Sequence, residues 1–110
     1  MSTVVIVKNA MLRFVEVTER TVDYSIIEHE SKQHTKSKHL EKGIFAITSN
    51  HGKNQPIYLL KLESCTERIV GDFMLANGAG DQYLPLTEEQ EDFIIQNCEV
   101  TQEPNFLNAV

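Results

Sequence analysis

The chain has 110 residues, 41% apolar and 24% charged, with a formal net charge of −6 and no tryptophan. That composition supports one globular domain over 1–110 and excludes a chain disordered as a whole. No apolar run approaches the roughly 18 residues that span a bilayer. The short run Val4–Val7 also lacks a signal-peptide layout, so a cytoplasmic location without membrane attachment is expected.

The first third reads as β structure. Thr3–Lys8 is a β-branched run, Asn9-Ala10 makes a tight turn, and a second strand follows over Met11–Thr18. Val22, Tyr24 and Ile26 then alternate with Asp23, Ser25 and Ile27 in a third segment, Thr21–Glu30, the period of a half-buried strand. Short connections favour antiparallel neighbours, hence a meander.

Residues 31–42 hold one apolar side chain, Leu40, and read as a long, exposed connection. Gly43 opens the strand Ile44–Thr48, turn formers fill 49–55, and Pro56 restarts the chain into Ile57–Leu62. These two apolar runs read as a hairpin.

Ser64 and Glu67 have the spacing of a capping box, and Ile69, Val70, Phe73 and Met74 share one helical face, so a helix is expected over 66–76. Gly71 favours the competing reading, a bulged strand from Arg68 to Leu75. A second helix begins at Thr87, with Gln90 completing its capping box and Phe93, Ile94, Ile95 and Cys98 as the buried face. Residues 99–110 read as a flexible tail. The expected fold is α+β: an antiparallel sheet of about five strands, a meander plus a hairpin, with one or two C-terminal helices packed on one face.

Charge is distributed unevenly. From Ile69 to Val110 there is no Lys, Arg or His but there are carboxylates at Asp72, Asp81, Glu88, Glu89, Glu91, Asp92, Glu99 and Glu103. Acidic residues in the first turns of a helix are locally favourable, which accounts for part of the excess around Thr87. The remainder suggests that Glu88, Glu89, Glu91, Asp92 and Asp81 form a surface for a protein partner with a basic face. Small acidic inhibitors encoded by phages act in this manner, and a face that holds nucleic acid is one candidate for such a basic surface. A homodimer or larger assembly joining the acidic and basic poles is the alternative. A small enzyme or ligand-binding module with a site at a subunit interface is the third.

The basic pole is Lys32, Lys36, Lys38 and Lys42, with His34 and His39 between them. It could hold an anion, although a solvated loop is the simpler reading. The net negative charge and the absence of aromatic residues in the cluster argue against nucleic acid as ligand. His29, His34 and His39 recur every five residues, which scatters them around a helix by about 140° steps. No metal or cofactor is expected. Cys65 and Cys98 read as two unpaired thiols in a reducing compartment. Gly78-Ala79-Gly80-Asp81 resembles the anion-hole motif of ribokinase-like sugar kinases, in which the aspartate is the catalytic base. The resemblance spans four residues in a chain too short for that fold, so a glycine-rich connection is the reading taken.

Overall fold

A computed structural model of the chain describes residues 2–17, 35–49, 55–79 and 82–103. Strand β1 (Thr3–Lys8) turns back through Asn9 and Ala10 into β2 (Met11–Glu16). Both turn residues have positive φ, 55° and 61°, the mirror-image turn whose twist matches that of the paired strands. This first hairpin is as the sequence predicts, whereas the expected strand over 21–30 lies outside the described residues.

Residues 31–42 are not one open connection. Thr35–His39 form β3, paired antiparallel with β4 (Ile44–Ser49) so that Lys38 stands opposite Ala46. The turn between them closes with Leu40 N–H on the Ile44 carbonyl and positive φ at Lys42 and Gly43. A strand written Thr-Lys-Ser-Lys-His resembles a loop because sheet-edge strands often carry lysine to block further pairing.

Strand β5 (Ile57–Lys61) does not pair with β4, contrary to the expected hairpin. Its neighbours are β6 (Thr66–Val70) and β9 (Glu99–Gln102), the latter formed by the start of the expected tail. The predicted helix over 66–76 is likewise absent. Instead β6 ends at Val70, just before Gly71, and β7 (Phe73–Ala79) begins after Asp72. Gly71 has φ +92° and donates its N–H to the Pro56 carbonyl at 2.7 Å, so the chain turns a corner there. Phe73, Met74, Leu75 and Ala76 are all fully buried, because β7 is central in its sheet and covered on both faces. An unbroken apolar run of that kind has no alternation to distinguish it from a helix.

Two antiparallel sheets result. The larger runs β2-β1-β7-β4-β3, with the short β8 (Gln82–Leu84) added to the end of β7; the smaller runs β6-β5-β9. Among the described residues there is a single helix, α1 (Glu88–Asn97), so the fold is α+β with one helix rather than two. The main core lies between the sheets. Val5, Val7, Ile44, Phe73 and Leu75 from the larger sheet meet Tyr58, Leu60 and Ile69 from the smaller, and Ile94 of α1 joins them. A second cluster, Val4, Ile47, Met74 and Ala76, is buried on the opposite face of the larger sheet.

Tyr58 joins parts that are distant in sequence. Its fully buried ring stands edge-on to Phe73, with centroids 5.8 Å apart. Its hydroxyl accepts the Asn9 N–H at 3.0 Å and donates to Asp72 Oδ1 at 2.6 Å. Burial, reinforced by the Asp72 carboxylate, pushes the phenol up to about 12, while the Asn9 and Ala10 amides oppose the shift. A raised folded-state value means stability present below the unfolded value of about 10 and lost as pH rises through about 12. Tyr58→Phe should lower stability by about 1–3 kcal/mol at neutral pH, because Asp72 and the Asn9 amide lose a buried partner. The variant should also lose less stability than wild type between pH 10 and 12, as urea midpoints across that range would show.

Gly78 is required for a different reason. A Cβ there would stand 2.3 Å from two carbons of the Phe45 ring. Gly78→Ala should cost about 1–3 kcal/mol by overpacking. Adding Phe45→Leu should recover part of that cost in a double-mutant cycle read by thermal or urea unfolding.

Candidate functional site

Helix α1 starts where the sequence predicts. Thr87 is the cap, its hydroxyl accepting the Gln90 N–H at 3.1 Å while Gln90 Oε1 accepts the Thr87 N–H at 2.9 Å. Gln90 is also buried, 6% exposed, and its amide Nε2 donates to the Lys42 carbonyl at 2.9 Å and to Asn77 Oδ1 at 3.0 Å. One side chain therefore caps the helix and fastens it to the β3–β4 turn and to β7. Ile94, one turn later, occupies the core, with Phe93 and Cys98 partly buried beside it. Ile95 does not join the buried face, as the sequence suggested; it is 67% exposed. Successive helical residues are about 100° apart, so a buried stripe through Gln90 and Ile94 directs Ile95 outward.

The four helical carboxylates divide in the same way. Glu91 is half-buried and accepts the Thr3 hydroxyl of β1, while Leu86 N–H bonds the Thr3 carbonyl. Glu91 thus ties the helix to the sheet. Glu88, Glu89 and Asp92 are exposed, and among the described residues none of them forms an ion pair. With Ile95 and Gln96 they fall within about 120° of the helix circumference. The helix has no basic residue in its last turn. Asp81 lies outside the described residues.

The two described lysine side chains of the basic pole, Lys38 and Lys42, stand apart. Lys42 stands at the edge of the acidic helix, its Nζ 5.7 Å from the centre of the Phe93 ring, within cation–π reach. It lines a shallow groove of about 400 Å³ with Glu89, Asp92 and Phe93. Lys38 lies in a different groove and pairs with Glu67 at 2.6 Å. Lys36 is in β3 with its side chain undescribed, and Lys32 lies outside the described residues.

Of the histidines, His39 is exposed at the end of β3 with its ring 5.0 Å from Phe45; His29, His34 and His51 lie outside the described residues. Among the described residues no three His, Cys, Asp or Glu side chains are grouped to hold a metal ion. Gly78 and Ala79 simply end β7, and β8 returns beside them. Both cysteines are free. Burial, then the Glu99 carboxylate, push the Cys98 thiol up to about 12. Burial and the Glu41 carboxylate raise Cys65. Such thiols are poor nucleophiles near neutral pH, because the thiolate is the reactive form. No helix among the described residues is long and apolar enough to cross a membrane.

No family model, curated protein or solved structure matches this chain.

The dual role of Gln90 was not visible in the sequence; its capping-box position showed one half and nothing showed the other. Gln90→Leu keeps the approximate volume but strands the Lys42 carbonyl and the Asn77 amide oxygen. It should cost about 2–4 kcal/mol, well beyond the ~1 kcal/mol expected for Thr87→Ala, as urea unfolding of both variants would show.

Proposed function

We propose that this is a non-catalytic binding protein whose exposed α1 face docks on a basic surface of a protein partner. The observation that carries the reading is the division of labour on the helix. Glu91 and Gln90 bond inward, which leaves Glu88, Glu89 and Asp92 on one solvent-facing arc with the exposed Ile95 at its edge. Unpaired carboxylates of one sign speed encounter with an oppositely charged surface, and an apolar residue beside them supplies contact that salt does not screen. A reducing cytoplasm, consistent with two free thiols, is the proposed location. A partner surface that otherwise holds nucleic acid has the required charge.

Affinity capture from the native host at two salt concentrations, with wild type and a Glu88→Gln/Glu89→Gln/Asp92→Asn variant, tests the proposal. The triple variant should fold normally and bind the captured partner about tenfold or more weakly at low salt, with a much shallower salt dependence. Ile95→Ala should instead raise the dissociation rate at every salt concentration. Capture that is indifferent to salt and to the triple variant would rule the reading out.

A further inference from the structure

The groove between α1 and the β3–β4 turn already holds one cation of the chain itself. Glu89, Asp92, Phe93 and Gln96 are spaced i, i+3, i+4 and i+7, so they share one side of the helix, within about 100° of its circumference. Lys42 reaches that side from the turn, where Gln90 Nε2 holds its carbonyl at 2.9 Å and φ is positive at Lys42 and Gly43. These residues line one cleft of about 400 Å³. Phe93 is half-buried at its base, and Lys42, Glu89 and Asp92 are exposed around it.

The position of the resident cation shows what the cleft attracts. Lys42 Nζ stands 5.7 Å from the centre of the Phe93 ring, drawn by the negative face of the aromatic system. Among the described residues it has no carboxylate partner, although Glu89 and Asp92 line the same cleft. An ammonium is a compact point charge, and over the ring it leaves both carboxylates unpaired. A guanidinium is flat: its face stacks on a ring while five N–H donors at its edge remain for carboxylates. It is also more weakly hydrated than an ammonium, so it gives up less on leaving water.

We propose that this cleft is the socket for one arginine side chain of the protein partner. The guanidinium stacks on Phe93, displaces the Lys42 ammonium and donates to Glu89 and Asp92. Lys42 is thus a resident competitor that covers the ring until an arginine arrives. The inference rests on the docking reading of α1 and adds to it the residue by which the partner is recognised. Charge on the helix draws any basic surface, whereas the ring selects arginine among cations.

Amide NMR titrations of the whole chain with blocked tripeptides centred on arginine, lysine or citrulline test it. The arginine peptide should shift the amides of Lys42, Glu89, Asp92, Phe93 and Gln96 in a saturable manner. The lysine peptide should bind about threefold or more weakly, and the citrulline peptide, which keeps the shape without the charge, should leave those amides unmoved. Phe93→Leu, which preserves net charge and an apolar contact with the core, should weaken the arginine peptide about two- to fivefold and remove its advantage over lysine. Lys42→Met should tighten it by a similar factor, a gain that misfolding cannot imitate. Cleft amides that ignore the arginine peptide, or respond equally to lysine, would overturn the proposal. So would an affinity unmoved by both variants. Failure here is distinct from failure of the docking reading. Salt-sensitive capture weakened by the Glu88→Gln/Glu89→Gln/Asp92→Asn variant but not by Phe93→Leu would remove the socket and leave the docking face standing. An arginine-selective cleft in a chain whose capture ignores the triple variant would remove the docking reading alone.

Discussion

The fold depends on the buried phenol of Tyr58. Two sheets of unequal size need something to fix their relative position, and apolar contact is not directional. Tyr58 belongs to the smaller sheet, but its hydroxyl accepts from the first hairpin turn of the larger and donates to Asp72 at the corner where the chain passes between them. The bond to Asp72 sits one residue after Gly71, whose positive φ makes that corner. Asn9, 49 residues before Tyr58, and Asp72, 14 residues after it, are thereby held at one point. Core packing on either side of Tyr58, Phe73 from one sheet and Leu60 from the other, follows from that placement.

The excess of acid in the second half of the chain is partly structural. Asp72 anchors Tyr58, Glu91 holds Thr3, and Glu103 pairs with Arg68. Each of these carboxylates has a partner elsewhere in the fold. Glu88, Glu89 and Asp92 have none among the described residues, and they share one arc of a helix that Gln90 and Ile94 hold from beneath. A fixed helix presents its charges without a large ordering cost on binding, which is what a docking surface needs. Of the Lys/His pole, the two described lysine side chains stand apart, Lys42 beside the acidic helix and Lys38 facing the smaller sheet at Glu67.

Elements specified by local chemistry were legible in the sequence. Asn9-Ala10 between two β-branched runs gave the first hairpin, and Thr87 with Gln90 gave the helix start. Strand partners were not legible, because pairing is decided by core contacts distant in sequence. Ile44–Thr48 and Ile57–Leu62 were both recognisable as strands, yet they belong to different sheets. Phe73–Ala76 looked helical because a strand buried on both faces loses its alternation. Strand β9 looked like a tail since Val100 is the only apolar residue in Glu99–Gln102. At the site, the sequence indicated which carboxylates cluster, but it could not separate Glu91, turned toward Thr3, from its exposed neighbours.

The central claim is that the outward arc of α1 is where this protein meets its partner. The most direct measurement is an NMR footprint of the labelled chain as the purified captured partner is added at low salt. The account predicts that shifts and line broadening centre on Glu88, Glu89, Asp92, Ile95 and Gln96, and reverse when salt is raised. A footprint that leaves those residues silent while other surfaces respond would contradict it.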